Sequence, residues 1–412
     1  MTETRRRNTD TRRRVEKRHP QRSIRTPTGP RVVRERRRPE PVPTRRRGVN
    51  SRKSVQAAAL ILVGIVISLS TLGLTMVLSA SSVTSLAATG SPWGEFRSQS
   101  IWLGLGLAVM IVISFLDYQR LRILTIPGLG ISMVMLLLVL VPSLGIEVNG
   151  AQRWLRLGPL QFQPSEIAKF ALVLYGAHVL SLQKDIDLRR SVRPLVAVLI
   201  TYGTLILLQP NLGTTIIVFA IGLMIMFSAG VKLWVLAGLG GISVAGAGIL
   251  AFFAEYRRAR LLAFMDPWAS PLQEGYQTIQ SLVSVANGGV TGVGIGASRG
   301  KFGFLPEAHN DFIFAVMAEE FGLVGASVVV LAYAIFGLAA LSIARRADRF
   351  GGLLVVGITT WVLVQAFINV GAVLGVMPIT GVPLPFMSAG GTSLVSTLGG
   401  VGVILSVARR TK

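Results

Sequence analysis

The sequence predicts an all-α polytopic membrane protein with about ten transmembrane helices, both termini in the cytoplasm, and a large extracytoplasmic loop between helices 7 and 8. Three observations support this fold class. Apolar residues make up 51% of the 412 residues and charged residues only 15%. About ten apolar runs each approach the roughly 20 residues that cross a bilayer. Lys and Arg are concentrated in alternate loops, as the positive-inside rule expects of cytoplasmic loops.

The first element is a basic arm over residues 1–53, predicted to be disordered and cytoplasmic. It contributes +15 of the formal net charge of +23 and has few apolar residues to bury. Two interpretations stay open: a determinant of topology, or a segment that docks on anionic membrane lipids or a cytoplasmic partner. No aromatic residues alternate with its arginines, so nucleic-acid binding is not expected.

A transmembrane domain is predicted over residues 54–408, followed by a short cytoplasmic tail, 409–412. Its spans are the predominantly apolar runs of roughly 17 residues or more. The predicted spans are 54–79, 99–116, 124–142, 165–182, 194–208, 211–229, 232–254, 312–342, 352–375 and 391–408.

Two loops assigned to the outside carry cations against the positive-inside rule. Arg153 follows the third span, and the long loop after the seventh holds Arg257, Arg258, Arg260 and Lys301. Pairing with acids of the same loop is one explanation. The other is a phosphate or pyrophosphate ligand on the outer face, bound by planar guanidinium groups.

The extracytoplasmic loop, 255–311, is far longer than a connection requires, so a function is expected of it. Apolar spacing from Tyr276 to Ala286 predicts a short interfacial helix that ends at the following Asn-Gly-Gly. The glycines from Gly292 to Gly296 do not form a Walker loop, because Ile295 and Phe302 occupy the positions that require Gly and a hydroxyl. They are interpreted as a flexible segment that brings backbone close to a ligand or a helix.

The strongest catalytic candidate is Asp311, where this loop enters the eighth span. Desolvation beside Phe312 would raise the pKa of the carboxyl and make it a better proton acceptor. The alternative is an N-cap of the eighth helix. Glu307 and His309 would either pair with loop arginines or bind a divalent ion, a weak metal signal, so no metal site is predicted. The absence of cysteine excludes thiolate catalysis, disulfides and Cys metal sites.

Charged residues within the spans need partners, since unpaired charges in a bilayer are costly. Lys169 is predicted to pair with Glu166 at i, i+3 and to be the natural partner of Glu319 and Glu320. This cluster would either fix the bundle or contact a substrate. Two amides on one face of the ninth span are interpreted as interhelical hydrogen-bonding groups: Gln365 and Asn369.

Three segments give the chain a resemblance to the SEDS family (shape, elongation, division and sporulation) of bacterial membrane proteins. They are residues 149–169, 305–320 and 369–393, and the last includes Pro-Ile-Thr-Gly-Val-Pro-Leu-Pro-Phe-Met-Ser-Ala-Gly-Gly-Thr-Ser from Pro378. The first two segments, with the arginine-rich arm, resemble the division branch more than the elongation branch. One departure is Asn211, where many relatives carry Asp, which puts a charge-dependent role there in doubt.

The resemblance implies polymerisation of lipid II into glycan strands on the outer face of the membrane, with undecaprenyl pyrophosphate as the second product. Asp311 matches the essential aspartate of the family, and Glu166 with Lys169 matches its conserved pair. Asp311 would act as general base on the acceptor hydroxyl. The candidate substrate-binding residues are Arg153, Gln163, Glu166, Lys169, Arg257, Arg258, Arg260, Lys301, Glu307, His309 and Ser388.

No tightly bound cofactor is expected, although Mg²⁺ or Mn²⁺ would accompany the substrate pyrophosphate. The resemblance also implies a class B penicillin-binding transpeptidase as partner, other divisome proteins, and a location at the division septum. The alternative function is a lipid II flippase, which would line a path through the membrane with charged groups. A third reading, a scaffold without catalysis, would make Asp311 dispensable for growth.

Overall fold

The computed structural model describes residues 45–148, 150–158, 160–183, 187–253 and 255–411. Residues 1–44 of the predicted arm lie outside this range, and 45–53 already belong to the first helix. The described helices are α1 (Arg45–Thr89), α2 (Gly94–Phe115), α3 (Thr125–Val139), α4 (Pro164–Ser181), α5 (Arg193–Leu208), α6 (Leu212–Ala229), α7 (Leu233–Phe253), α8 (Glu255–Met265), α9 (Tyr276–Gly288), α10 (Ile313–Ala344), α11 (Arg349–Val373) and α12 (Gly391–Arg410).

The all-α polytopic class is confirmed, and each of the ten predicted spans coincides with a helix. Within the described residues, 8 helical stretches are long and apolar enough to cross a membrane. The other two predicted spans are α4 and α7. Helix α4 carries Glu166 and Lys169, whose charges lower its hydropathy, and only Leu233–Ser243 of α7 forms a shorter apolar helix by the same measure. The predicted interfacial helix is α9, which ends at Gly289 with a positive φ of 53°.

A small antiparallel sheet between α3 and α4 was not predicted. Its strands are β1 (Gly145–Val148), β2 (Ala151–Leu157) and β3 (Leu160–Phe162), in the order β1-β2-β3. Ile146 faces Trp154 across the first pair, and Arg156 faces Gln161 across the second. Gly150 and Gly158 turn the chain with φ of 74° and 61°. The Asn-Gly pair at 149–150 is a strong sequence signal for a hairpin, but hydropathy alone does not detect it.

Helix α11 lies at the centre of the transmembrane bundle, in contact with α4, α6, α10 and α12. Its spanning window is 72% buried, against 22% for α2, so α2 faces lipid and α11 faces protein. The indole of Trp361 is fully buried there. Polar side chains on α11 are therefore held among other helices, where each hydrogen bond is shielded from water.

Helix α10 is broken at Gly322, whose φ of 66° and ψ of −165° are far from helical. The break leaves carbonyls and amides that the segment after α9 satisfies. Val293 N–H donates to Glu319 O (3.0 Å), Gly294 N–H to Glu320 O (3.1 Å), Leu323 N–H to Gly289 O (2.9 Å), and Val324 N–H to Val290 O (3.1 Å). The glycine segment thus approaches a helix, one of the two roles predicted for it.

Candidate active site

Asp311 lies in the turn that leads into α10, outside the membrane-spanning part of that helix. Phe312 occupies the N-cap position, and no side chain caps the helix there. The N-cap alternative for Asp311 is therefore wrong. Asp311 instead lines a crevice at this end of the helix. The crevice is lined by Asp311, Phe312, Asn369, Ala372, Ile379, Thr380, Gly381 and Val382.

The crevice is narrow, with a volume of about 10 Å³. That is room for about one water molecule. Gly381 forms part of its wall with a φ of 70°. A Cβ on Gly381 would lie 3.5 Å from Asp311 Oδ2 and 3.6 Å from Arg153 Nη1. The carboxylate and the guanidinium therefore border the same small space, which a side chain at position 381 would fill.

Two arginines from distant parts of the chain are fixed beside Asp311 by backbone carbonyls. Arg153, on β2, donates from Nε to Gln209 O (3.3 Å) and from Nη2 to Pro210 O. Arg260, on α8, donates from Nη1 to Ile379 O (3.3 Å). Both guanidiniums interact electrostatically with the Asp311 carboxylate. The anion-binding role predicted for these arginines stays a prediction.

Burial raises the pKa of Asp311 from 3.8 to about 6. The negative charge of Glu307 adds to the rise, and Arg153 and Arg260 oppose it. A pKa near 6 leaves most of the carboxyl ionised at pH 7 while making it more basic than an exposed aspartate. This is the balance that suits a general base at neutral pH.

Glu307 and His309 shape the turn around Asp311. Glu307 has a φ of 55°, its Oε2 accepts a hydrogen bond from Asn310 Nδ2 (2.6 Å), and its carbonyl accepts one from Phe312 N–H (3.3 Å). The carbonyl of His309 accepts a hydrogen bond from Ala389 N–H (3.0 Å), which joins this turn to the loop between α11 and α12. Among the described residues, no group of three His, Asp or Glu side chains could hold a metal ion.

The buried pair in α4 forms as predicted, with 2.8 Å between Lys169 Nζ and Glu166 Oε1 and side-chain exposures of 1% and 3%. Lys169 also donates to Gln365 Oε1 (2.9 Å) and lies 4.7 Å from the centre of the Trp361 ring. These contacts place the ammonium between α4 and α11.

Lys169 is not the partner of Glu319 and Glu320, so that expectation was wrong. Glu319 accepts from Ser298 Oγ (2.6 Å), Arg299 N–H (3.1 Å) and Gly300 N–H (3.4 Å). Glu320 Oε1 accepts from Ser79 Oγ in α1 (2.5 Å). The reason is the break in α10, which brings a loop with free N–H donors to a depth where hydropathy predicts only side-chain partners.

The remaining candidates are dispersed. Lys301 is buried and donates to Gly296 O, and the hydroxyl of Ser388 is buried and accepts from Leu384 N–H (2.7 Å). Gln163 is half-buried beside α4, and Arg258 is exposed. The side chain of Arg257 lies outside the described residues. The structure thus brings Arg153, Arg260 and Glu307 to Asp311, together with two wall residues that sequence reasoning did not assign to the site: Asn369 and Gly381.

A family model described as a cell cycle protein, FtsW/RodA/SpoVE, matches residues 59–412. A probable peptidoglycan glycosyltransferase FtsW of Thioalkalivibrio sulfidiphilus is 42% identical over 357 residues, which cover 84% of this chain and 88% of that protein. Stage V sporulation protein E of Bacillus subtilis is 37% identical over 356 residues, covering 86% of this chain and 97% of that protein.

Solved structures show the same similarity. A chain from a study of how a peptidoglycan synthase complex coordinates polymerization and crosslinking is 32% identical, with a TM-score of 0.70, and the match covers 85% of this chain and 97% of that one. The rod shape determining protein RodA of Thermus thermophilus is 30% identical, with a TM-score of 0.64, covering 85% of this chain and 96% of that one.

Proposed function

The chain belongs to the FtsW/RodA/SpoVE family, and from this premise we propose that it is a peptidoglycan glycosyltransferase of the cytoplasmic membrane, which polymerises lipid II into glycan strands. The observation that carries the proposal is the desolvated carboxyl of Asp311 within the electrostatic reach of two guanidiniums that backbone carbonyls hold in place. A raised pKa supports proton acceptance, and fixed cations support a diphosphate leaving group.

In this mechanism Asp311 takes the proton from the 4-hydroxyl of the acceptor GlcNAc. The oxygen attacks the anomeric carbon of the donor MurNAc, and the bond to undecaprenyl pyrophosphate breaks with inversion. One glycosidic bond forms, one bond to phosphate oxygen breaks, and the proton ends on Asp311. General-base assistance contributes roughly 10²- to 10⁴-fold in rate.

Arg153 and Arg260 are proposed to stabilise the charge that develops on the leaving diphosphate. Their Nε and Nη1 groups already donate to Gln209 O and Ile379 O, so the guanidiniums are held in place before substrate arrives. Groups fixed in advance need little reorganisation as charge develops. The described acids do not form a metal cage. Mg²⁺ or Mn²⁺ is therefore proposed only as a companion of the substrate diphosphate, and no step depends on it.

The proposal extends to partners and place. A similar chain belongs to a peptidoglycan synthase complex that couples polymerization to crosslinking, which supports a crosslinking partner here. We propose a class B penicillin-binding transpeptidase in that role, with action at the division septum. A transporter would need charged side chains such as Lys169 and Glu319 along a path through the membrane. Lys169 is hydrogen-bonded to Glu166 and Glu319 to Ser298, and this weakens the transporter alternative.

Glycan polymerisation by the purified full-length protein, assayed with lipid II and its transpeptidase partner, tests the function. Asp311→Asn keeps the shape of the side chain and removes the base, so the rate is expected to fall at least about a hundredfold. Binding of lipid II and thermal stability are expected to change little. A variant that polymerises at near the wild-type rate would refute the role of Asp311. Lipid II translocation without polymerisation by the wild-type protein would favour the flippase.

A further inference from the structure

The amide of Asn369 makes an unusual set of contacts beside Asp311. Its Nδ2 donates to the backbone carbonyls of Asp311 (2.7 Å) and Val382 (2.8 Å). Two carbonyl partners can be met only by the nitrogen, so the orientation of the amide is fixed by chemistry. The side chain is 3% exposed, and it joins the turn that carries the candidate base to the loop that forms the opposite wall of the crevice.

Gln365, one helical turn earlier on α11, provides the comparison. Its Nε2 donates to Pro383 O (2.9 Å), and its Oε1 accepts from Lys169 Nζ (2.9 Å) and Trp361 Nε1 (2.9 Å). Both ends of that amide are satisfied within the protein. By contrast, Asn369 Oδ1 is buried without a hydrogen-bond partner. A buried acceptor left open costs about 1–3 kcal/mol, so the side chain of Asn369 is held by its two Nδ2 hydrogen bonds rather than by full satisfaction of its amide.

We propose that Asn369 is a positioning residue for the reaction, which fixes the main chain of Asp311 against the 380–382 loop so that the carboxylate stays inside the crevice. The inference rests on the proposed function. Asn369 and Asp311 line the same crevice.

The charged groups that act on Asp311 are Glu307 in its own turn, Arg153 from β2 and Arg260 from α8. Without the two hydrogen bonds from Asn369 Nδ2, Asp311 is free to move toward water. Burial is the largest cause of its raised pKa, so hydration would lower that pKa toward 3.8. A displaced base is also a poorer one, since about 1 Å of misplacement costs on the order of a hundredfold in rate.

Asn369→Leu removes both N–H donors at similar volume, and Gln365→Leu is the matched control on the same helix. We expect Asn369→Leu to lower kcat about a hundredfold, to leave KM for lipid II within about threefold, and to move the acidic limb of the pH profile to lower pH. Gln365→Leu is expected to lower thermal stability without moving that limb. Asn369→Ser keeps one donor, so its kcat is expected to lie between those of the wild type and Asn369→Leu. If the leucine variant does not fold, the serine variant is used for the same test.

The inference is overturned if Asn369→Leu retains kcat within about threefold, or if its loss of activity follows its loss of stability with an unmoved acidic limb. Failure of the proposed function has a different signature: an active Asp311→Asn enzyme. An inactive Asp311→Asn enzyme together with a fully active Asn369→Leu enzyme removes only the role of Asn369.

Discussion

At the scale of single residues, the chemistry depends on how opposing influences meet at Asp311. Burial and the charge of Glu307 raise its pKa, whereas Arg153 and Arg260 lower it. The resulting pKa is about 6. The cations therefore do two things: they keep a buried carboxyl ionised at neutral pH, and they border the space where a diphosphate would depart. Asn211, which follows the Pro210 that Arg153 binds, accepts a hydrogen bond from Thr214 N–H (3.2 Å) as the N-cap of α6. An amide oxygen caps a helix as well as a carboxylate does, so this structural role does not need the Asp of many relatives.

The pH dependence of polymerisation follows from the pKa of Asp311. Because the ionised form is the base, kcat/KM is expected to rise with pH, pass its midpoint near pH 6, and level off above it. Below the midpoint the rate falls about tenfold per pH unit. Initial rates measured from pH 4.5 to 8 test this. A flat profile through pH 6 would contradict it.

Substitution of the neighbouring charges should shift that midpoint in opposite directions. Glu307→Gln removes a negative charge that raises the pKa, so the acidic limb is expected to move to lower pH. Arg260→Gln removes a cation that lowers the pKa, so the limb is expected to move to higher pH. The same rate measurements serve, with each variant acting as the control for the other. Shifts of the same sign would mean that these charges do not act through Asp311.

The Lys169 and Glu166 pair makes a prediction about stability. Lys169→Met leaves the buried Glu166 carboxylate without its cation and is expected to destabilise the fold by about 3–5 kcal/mol. The double variant Glu166→Gln with Lys169→Met buries no charge and is expected to recover much of that loss. Thermal unfolding in detergent measures both. A double variant no more stable than Lys169→Met alone would show that the pair is not the source of the effect.

At the scale of elements, the break in α10 is what organises the outer half of the molecule. The break separates a short helix, which follows Asp311 in the chain, from a long one that continues across the membrane. The 289–294 segment forms four backbone hydrogen bonds with the residues on the two sides of the break. Glu319 then holds residues 298–300 through three donors. The loop is thus attached to the helix that begins directly after the turn carrying Asp311, so the structure of this loop contributes to the site.

Replacement of the glycine at the break tests this arrangement. A Cβ at Gly322 would lie 2.4 Å from Gly292 N, and the φ of 66° strains any other residue. Gly322→Ala is expected to lower both thermal stability and polymerisation, with strain alone costing about 1–3 kcal/mol. Gly64→Ala is the control, because nothing lies within 4 Å of its Cβ position in the regular helix α1. Equal stability of the two variants would contradict the strained break.

At the scale of the whole molecule, the described helices form a multi-pass bundle with α11 at its centre and the candidate site at one end. Asp311 precedes α10, Asn369 lies near the end of α11, and Arg153 lies between α3 and α4, so three separate connections meet at that end. An ion pair between Arg410 Nε and Asp117 Oδ1 (3.3 Å) lies at the opposite end. The positive-inside rule assigns the Arg410 end to the cytoplasm.

The natural absence of cysteine makes the orientation easy to test. Leu272→Cys, at a position 85% exposed in the long loop, is expected to react with a membrane-impermeant maleimide added outside spheroplasts. Arg345→Cys, exposed just after α10, is expected to react only after permeabilisation. The unmodified protein is the control for background labelling. The reverse pattern would place Asp311 in the cytoplasm and end the proposed function.

The sequence by itself determined the fold class, the presence of a helix at each of the ten predicted spans, the α9 helix, and the position of Asp311 directly before a long apolar helix. These depend on local hydropathy, periodicity and motif, which are properties of consecutive residues. Only the tertiary structure decided which groups meet. It placed Arg153 and Arg260 beside Asp311, gave Glu319 to a backbone loop rather than to Lys169, and put Asn369 in the wall of the crevice. The hydrogen bonds of Arg153 and Arg260, and the one between Asn369 and Asp311, join residues more than 50 positions apart, and linear patterns do not encode the helix packing and chain breaks that create such contacts.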